Sequence, residues 1–141
     1  MNIDGACHCG QISFTAKIDP NRVVVCHCTD CQVFAGSAFR VSVAAPIGDV
    51  SIQGSPKRYI KTAESGSRRA QLFCPECGTA LFTMASEGAT AITIRLGCVT
   101  QRAQLTPAVQ IWQRSSLPWL PQLAHVPGSP EQQGFLPPPP T

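Results

Sequence analysis

The run Val23-Val24-Val25-Cys26-His27-Cys28-Thr29-Asp30-Cys31 decides how the rest of the chain is read. Three β-branched residues in succession make a short buried strand, and that strand leads straight into a C-x-C-x-x-C cluster. Cys26 and Cys28 stand two apart on strand-like backbone, so their side chains face the same way. Cys31 comes from the turn that follows. Thr29-Asp30 has the form of a helix start, an N-cap followed by an acid in the first turn, so one short helical turn is expected over residues 29–34. Three thiolates from one compact segment form a tripod with an open fourth position, the usual arrangement of a zinc ion that does chemistry.

Far to either side lie two cysteine pairs, Cys7-His8-Cys9 and Cys74-Pro75-Glu76-Cys77, which bring the clustered cysteines to seven of eight. Together the pairs supply the four thiolates of a closed tetrahedral site. Cys74-Pro75-Glu76-Cys77-Gly78 reads as a metal knuckle, with Gly78 free to take the positive φ of a tight turn. Cys7-His8-Cys9-Gly10 follows the same logic at a strand end. A metal shared between segments so distant closes a long loop and constrains the unfolded chain; structural zinc contributes on the order of 10 kcal/mol or more to folding. The expectation is two zinc ions, a structural one on Cys7, Cys9, Cys74 and Cys77 and an open one on Cys26, Cys28 and Cys31. Iron in the four-cysteine site stays open, because thiolates bind both metals.

Eight cysteines also admit four disulfides. The spacings are those of metal chelation, however, and Met1-Asn2-Ile3-Asp4-Gly5 lacks the basic start and apolar stretch of an export signal, so a reducing cytoplasm is expected. No apolar run approaches the ~20 residues of a membrane-spanning helix. At 141 residues and 43% hydrophobic content, one domain with a real core is expected. The net charge of +3 is too small to argue for nucleic acid. Five of the eleven basic residues (Lys57, Arg58, Lys61, Arg68 and Arg69) crowd into one stretch. That stretch is either the basic rim of a solvated hairpin or a docking surface for an anion, such as a peptide carboxylate.

Outside the clusters the pattern is strand-like almost throughout. Ile12, Phe14, Ala16 and Ile18 alternate with polar residues over 11–18, Phe39, Val41 and Val43 do so further on, and Ile92, Ile94 and Leu96 do so over 90–96. Shorter strands are expected over 22–26, 50–53, 59–61, 70–73, 80–83 and 109–113. Glycine and proline punctuate these runs, and no long amphipathic helix interrupts them, so the fold class is all-β. Eight of the thirteen prolines lie from Pro118 onward. Trp112 and Trp119 are expected to pack against the sheet, which bounds a zinc-binding domain at 1–126. Residues 127–141, ending in Pro137 to Pro140, form a proline-rich tail expected to be disordered or polyproline II.

The tripod's chemistry follows from charge. Three thiolates on a divalent ion leave a net negative charge, so such a zinc activates water poorly. It is better suited to hold an incoming thiol and lower its pKa. Three residues are candidates to close the tripod: His8 and His27, which flank ligands and for that reason are expected to point away, and Cys98, whose alternative reading is a buried free thiol. Asp30 is either a proton acceptor beside the metal or simply a helix-start acid. A zinc nucleobase deaminase is excluded, since neither H-x-E nor P-C-x-x-C occurs.

Gly5-Ala6-Cys7-His8-Cys9-Gly10, then Cys26-His27-Cys28-Thr29-Asp30-Cys31-Gln32 with Gly36-Ser37-Ala38-Phe39, then Phe73-Cys74-Pro75-Glu76-Cys77-Gly78-Thr79 resemble the glutathione-dependent formaldehyde-activating enzyme family, which includes centromere protein V. The likeness extends from about Gly5 to Trp119. It implies a β-tent fold of small antiparallel sheets tied by a structural zinc, with Cys26, Cys28 and Cys31 on a catalytic zinc. It also implies carbon–sulfur lyase activity, the reversible addition of the glutathione thiol to formaldehyde, with glutathione or another thiol as co-substrate. Where family members carry an acid after the 90–96 strand, this chain reads Gly97-Cys98-Val99-Thr100. Two other functions compete with the lyase: a non-catalytic zinc module for protein or chromatin, and a sensor that responds through labile thiolates.

Overall fold

The computed structural model describes residues 1–132. Ten strands and one short α-helix account for its regular structure: β1 (Asn2–Ala6), β2 (Ser13–Lys17), β3 (Val23–Cys26), α1 (Thr29–Ala35), β4 (Arg40–Pro46), β5 (Val50–Gln53), β6 (Lys57–Thr62), β7 (Arg68–Phe73), β8 (Ala80–Ala85), β9 (Ala91–Arg95) and β10 (Val109–Ile111). They form two sheets. The small one has the order β1-β2-β5, and the large one runs β10-β3-β4-β9-β8-β7-β6. Every neighbouring pair is antiparallel except β10 on β3.

Strand register assigns the two faces of the large sheet, because residues paired across neighbouring strands point to the same side. Val23, Val43, Ile94, Phe82 and Leu72 are linked in one such row. This face meets the small sheet: Phe82 packs edge-on against Phe14 with ring centroids 5.2 Å apart, and Ile3, Ile12, Ala16 and Ile18 complete the core. Burying such side chains stabilises by about 1.5–3 kcal/mol each.

Gly5 shows how closely the layers approach. A Cβ there would stand 2.1 Å from the Cys98 carbonyl oxygen and 2.5 Å from the Phe14 ring, so only glycine fits where β1 bridges to Val99.

The opposite face of the large sheet is polar yet covered. Its rows run Cys26–Arg40, Ser42–Arg95 and Thr93–Thr83–Gln71–Tyr59, with Arg69 opposite Lys61. Ser42, Thr83, Gln71 and Arg95 are buried there. Polar side chains do not stay buried on a sheet face for stability alone, so this face is where function is sought.

The sequence placed the helix cap on Thr29. The structure moves it one residue back: the Cys31 N–H donates to Cys28 Sγ at 3.2 Å, which makes the Cys28 sulfur the N-cap acceptor and Thr29 the first helical residue. The helix closes at Gly36 in the left-handed conformation. Trp112 and Trp119, expected against the sheet, are each about half covered, at 45% and 50% exposure, and Trp112 lines a cavity together with residues of the large sheet. Trp112 has a φ of 58°, which no other non-glycine residue among those described approaches. That kink ends β10 at Ile111. Residues 127–132 are exposed and carry no strand or helix; the polyproline expectation for Pro137 to Pro140 lies outside the described residues. No helix among the described residues is long and apolar enough to cross a membrane.

Candidate metal centre

The structure gathers the cysteines into the two groups that spacing suggests. Cys7, Cys9, Cys74 and Cys77 bring four sulfurs within 4.8 Å of one another, and Cys26, Cys28 and Cys31 bring three. In the first group Cys7 Sγ stands 3.6 Å from Cys9 Sγ, and Cys9 Sγ 3.7 Å from Cys74 Sγ. Four thiolates at ~2.3 Å from a tetrahedral zinc stand about 3.8 Å apart, so the donor set and its spacing fit that ion.

Backbone geometry presets the four-sulfur group. The Cys7 N–H donates to the Ile12 carbonyl at 2.9 Å while the Ile12 N–H donates to Cys7 Sγ at 3.3 Å. On the other side, the Cys74 N–H donates to the Thr79 carbonyl and the Gly78 N–H to the Cys74 carbonyl, each at 2.9 Å. Gly78 takes a φ of 74° to make that turn. Thr79 ties the halves together: its hydroxyl oxygen accepts from the His8 N–H and lies 3.1 Å from Cys77 Sγ. Hydrogen bonds from the Thr79 side chain and backbone hold the Cys77 thiol down at about 5. The group joins the end of β1, in the small sheet, to the β7–β8 turn of the large one.

The three-sulfur group lies where β3 ends and α1 begins. Cys26 and Cys31 are buried, Cys28 is half-buried, and Cys31 Sγ stands 3.3 Å from Cys26 Sγ. Partial burial works against ionisation of Cys28, but hydrogen bonds from the Cys31 thiol and backbone outweigh it, helped by Cys26 and Arg40, and lower its pKa. Burial pushes the Cys31 thiol up. Gln32 braces the segment by donating to the His27 carbonyl at 2.8 Å and to the Ser115 carbonyl at 2.9 Å.

None of the three candidate closing residues joins this group. His27 turns away, with Nε2 2.7 Å from Gln110 Oε1 and its ring against Phe39. His8 is exposed beside the four-sulfur group. Cys98 is half-buried and donates its thiol to the Ala80 carbonyl at 3.2 Å, so it behaves as a packed free thiol. Among the described residues the group comprises three sulfurs.

Its fourth side opens into a cavity of about 380 Å³. Asp30, Phe34, Arg40, Lys61, Arg69 and Trp112 stand on its walls, with Gln71 and Thr83 among its lining from the polar sheet face. Asp30 is ion-paired to Lys61. Of the basic stretch, Lys61 and Arg69 face this cavity, while Lys57, Arg58 and Arg68 are exposed. Sequence reasoning missed Arg40, Gln71, Thr83 and Arg95. Their signal was present as polar residues alternating within otherwise apolar strands, but alternation alone reads as a solvated face.

Residues 2–115 match the family model described as glutathione-dependent formaldehyde-activating enzyme. An uncharacterized lyase of Schizosaccharomyces pombe is 28% identical over 85 residues, which cover 60% of this chain and 59% of that protein. The chain thus aligns with about three fifths of the length of that relative. A solved structure of a Rhodobacter sphaeroides protein superposes with a TM-score of 0.59 at 14% identity, covering 76% of this chain and 98% of that one. At that identity the likeness concerns the fold alone.

Proposed function

The chain belongs to the glutathione-dependent formaldehyde-activating enzyme family, and from that premise we propose that it is a zinc-dependent carbon–sulfur lyase acting on a thiol–aldehyde adduct, of the kind glutathione forms with formaldehyde. One observation carries the reading: three sulfurs, and no fourth ligand among the described residues, open onto a cavity large enough for a small molecule. A purely structural ion needs no open side.

Cys26, Cys28 and Cys31 would hold the catalytic zinc, and Cys7, Cys9, Cys74 and Cys77 a structural one. Bound at the tripod, the ion supplies Lewis acidity that lowers the pKa of a thiol and keeps its sulfur nucleophilic. In the synthetic direction a bond forms between the thiol sulfur and the carbonyl carbon. The carbonyl π pair moves onto oxygen, which takes a proton, and the thiol proton is the one lost. The lyase direction reverses each change, so the reaction consumes no oxidant or reductant.

The chain's own residues do the positioning. Asp30, held by Lys61, is the acid–base candidate, since its carboxylate can take the thiol proton and return it at oxygen. Arg40 and Arg69 supply positive charge where a thiolate or a substrate carboxylate has to rest. Phe34 and Trp112 wall the cavity and limit water beside the reacting atoms.

The test is NMR exchange between free formaldehyde and its glutathione adduct, using zinc-reconstituted protein with Cys28→Ser as control. Acceleration by the parent protein alone is expected. Equal rates with both proteins, with two zinc ions confirmed in the parent, would overturn the reading.

A further inference from the structure

Beyond the tripod cavity, on the same polar sheet face, lies a second one of about 320 Å³. Its walls are mostly apolar: Phe34 and Tyr59 form a tilted aromatic pair with centroids 6.0 Å apart, and Phe73 and Ala80 continue the lining beside Gln71. Into it faces one cation, Arg95, which is only 7% exposed. Its Nη2 donates to Gln71 Oε1 at 2.8 Å, and the same oxygen accepts from the Thr83 hydroxyl at 3.0 Å. Its Nε and Nη1 are buried without a protein partner. Neither ion pair among the described residues involves it; those are Lys61–Asp30 and Arg114–Glu64. Burial, with Arg40 close by, pulls its pKa down to about 10, which still leaves it charged at neutral pH.

A buried guanidinium is costly unless an anion meets it. The groups facing it are Arg40, of like charge, and the sulfurs of Cys31, Cys98 and Cys26, whose negative charge when ionised favours the guanidinium through space without a hydrogen bond to it. None of these satisfies its free N–H groups. The volume falls within the range of small-molecule sites, and such sites combine apolar walls with a few placed polar groups. We infer that this cavity is a binding site for an apolar monocarboxylate, whose carboxylate meets Arg95 and whose body lies between Phe34, Tyr59 and Phe73. The apolar walls favour a carboxylate with a hydrocarbon body over phosphate. This inference does not rest on the lyase reading, because it concerns a different cavity and needs no turnover. Phe34 and Gln71 border both cavities, so a ligand here adjoins the tripod.

The experiment is calorimetric titration of the zinc-loaded 141-residue chain with phenylacetate, phenylacetamide, acetate and inorganic phosphate. Phenylacetate should bind, and the neutral amide and acetate should each bind more weakly by on the order of tenfold or more. Arg95→Gln should erase the preference for acid over amide. Tyr59→Ala, at the exposed rim, should weaken both aromatic probes alike while leaving zinc content unchanged, which keeps the test intact if Arg95→Gln does not fold. Equal affinity for acid and amide, no binding of phenylacetate at any soluble concentration, or displacement by equimolar phosphate would each overturn the inference.

Discussion

Replacing Cys77 with serine separates the two metal sites by their consequences. The four-sulfur group links Cys9 to Cys74, 65 residues apart in sequence, and so joins the two sheets. In the loop-closure treatment of a cross-link, closing 65 residues is worth about 4 kcal/mol. The tripod links Cys26 to Cys31, 5 residues apart, for which the same expression gives about 2 kcal/mol. Much of that is already provided by the first turn of α1. Domains of this size are stable by roughly 5–15 kcal/mol in total. Cys77→Ser, which breaks the four-ligand set without emptying a fully buried position, should lower the urea midpoint by on the order of 2 M and release zinc. Cys28→Ser should shift it by a fraction of that while abolishing lyase activity. Urea unfolding followed by far-ultraviolet circular dichroism, with zinc content measured in parallel, reads both effects. Equal midpoints for the two variants would refute the division into closed and open sites, as would a Cys77→Ser protein that loses one zinc ion and keeps the parent midpoint.

Acid should empty the sites in order. Each site mixes a thiol that is held down, Cys77 or Cys28, with one that is pushed up, Cys9 or Cys31, so the number of sulfurs sets the order. Protons compete with metal for thiolates, so zinc release on acidification should come first from the three-sulfur tripod; simultaneous release counts against this. Asp30→Asn should slow turnover by roughly 10²–10⁴-fold if the carboxylate moves the proton, while stability changes by less than about 1 kcal/mol, because its ion pair with Lys61 is partly exposed. Turnover within twofold of the parent would remove Asp30 from the mechanism. Gly5→Ala should cost about 1–3 kcal/mol in thermal unfolding, given the 2.1 Å approach to the Cys98 carbonyl. With Trp119→Phe, Trp112 becomes the only tryptophan of the chain's two; its emission should change as glutathione fills the cavity it lines, and constant emission at saturation argues for docking elsewhere.

The sequence by itself determined the elements and the donor sets. Strand 50–53 is found as β5 with the same bounds, and the 29–34 turn is found as α1 with one residue more, because short-range periodicity and local capping write these features. The division of seven cysteines into four and three follows from spacing in the same way, since a chelating pair is a local object. The tertiary structure alone decided which face of each strand is covered. Arg40, Gln71, Thr83 and Arg95 alternate with apolar residues just as solvated positions do, and only the order β4-β9-β8-β7, with α1 laid near its edge, buries Gln71, Thr83 and Arg95 and half-covers Arg40. It also decided that Cys98 stays off the tripod and that Lys61 and Arg69, alone of the basic stretch, face it. Strand order and register are contacts between residues distant in the chain, and no local pattern encodes them.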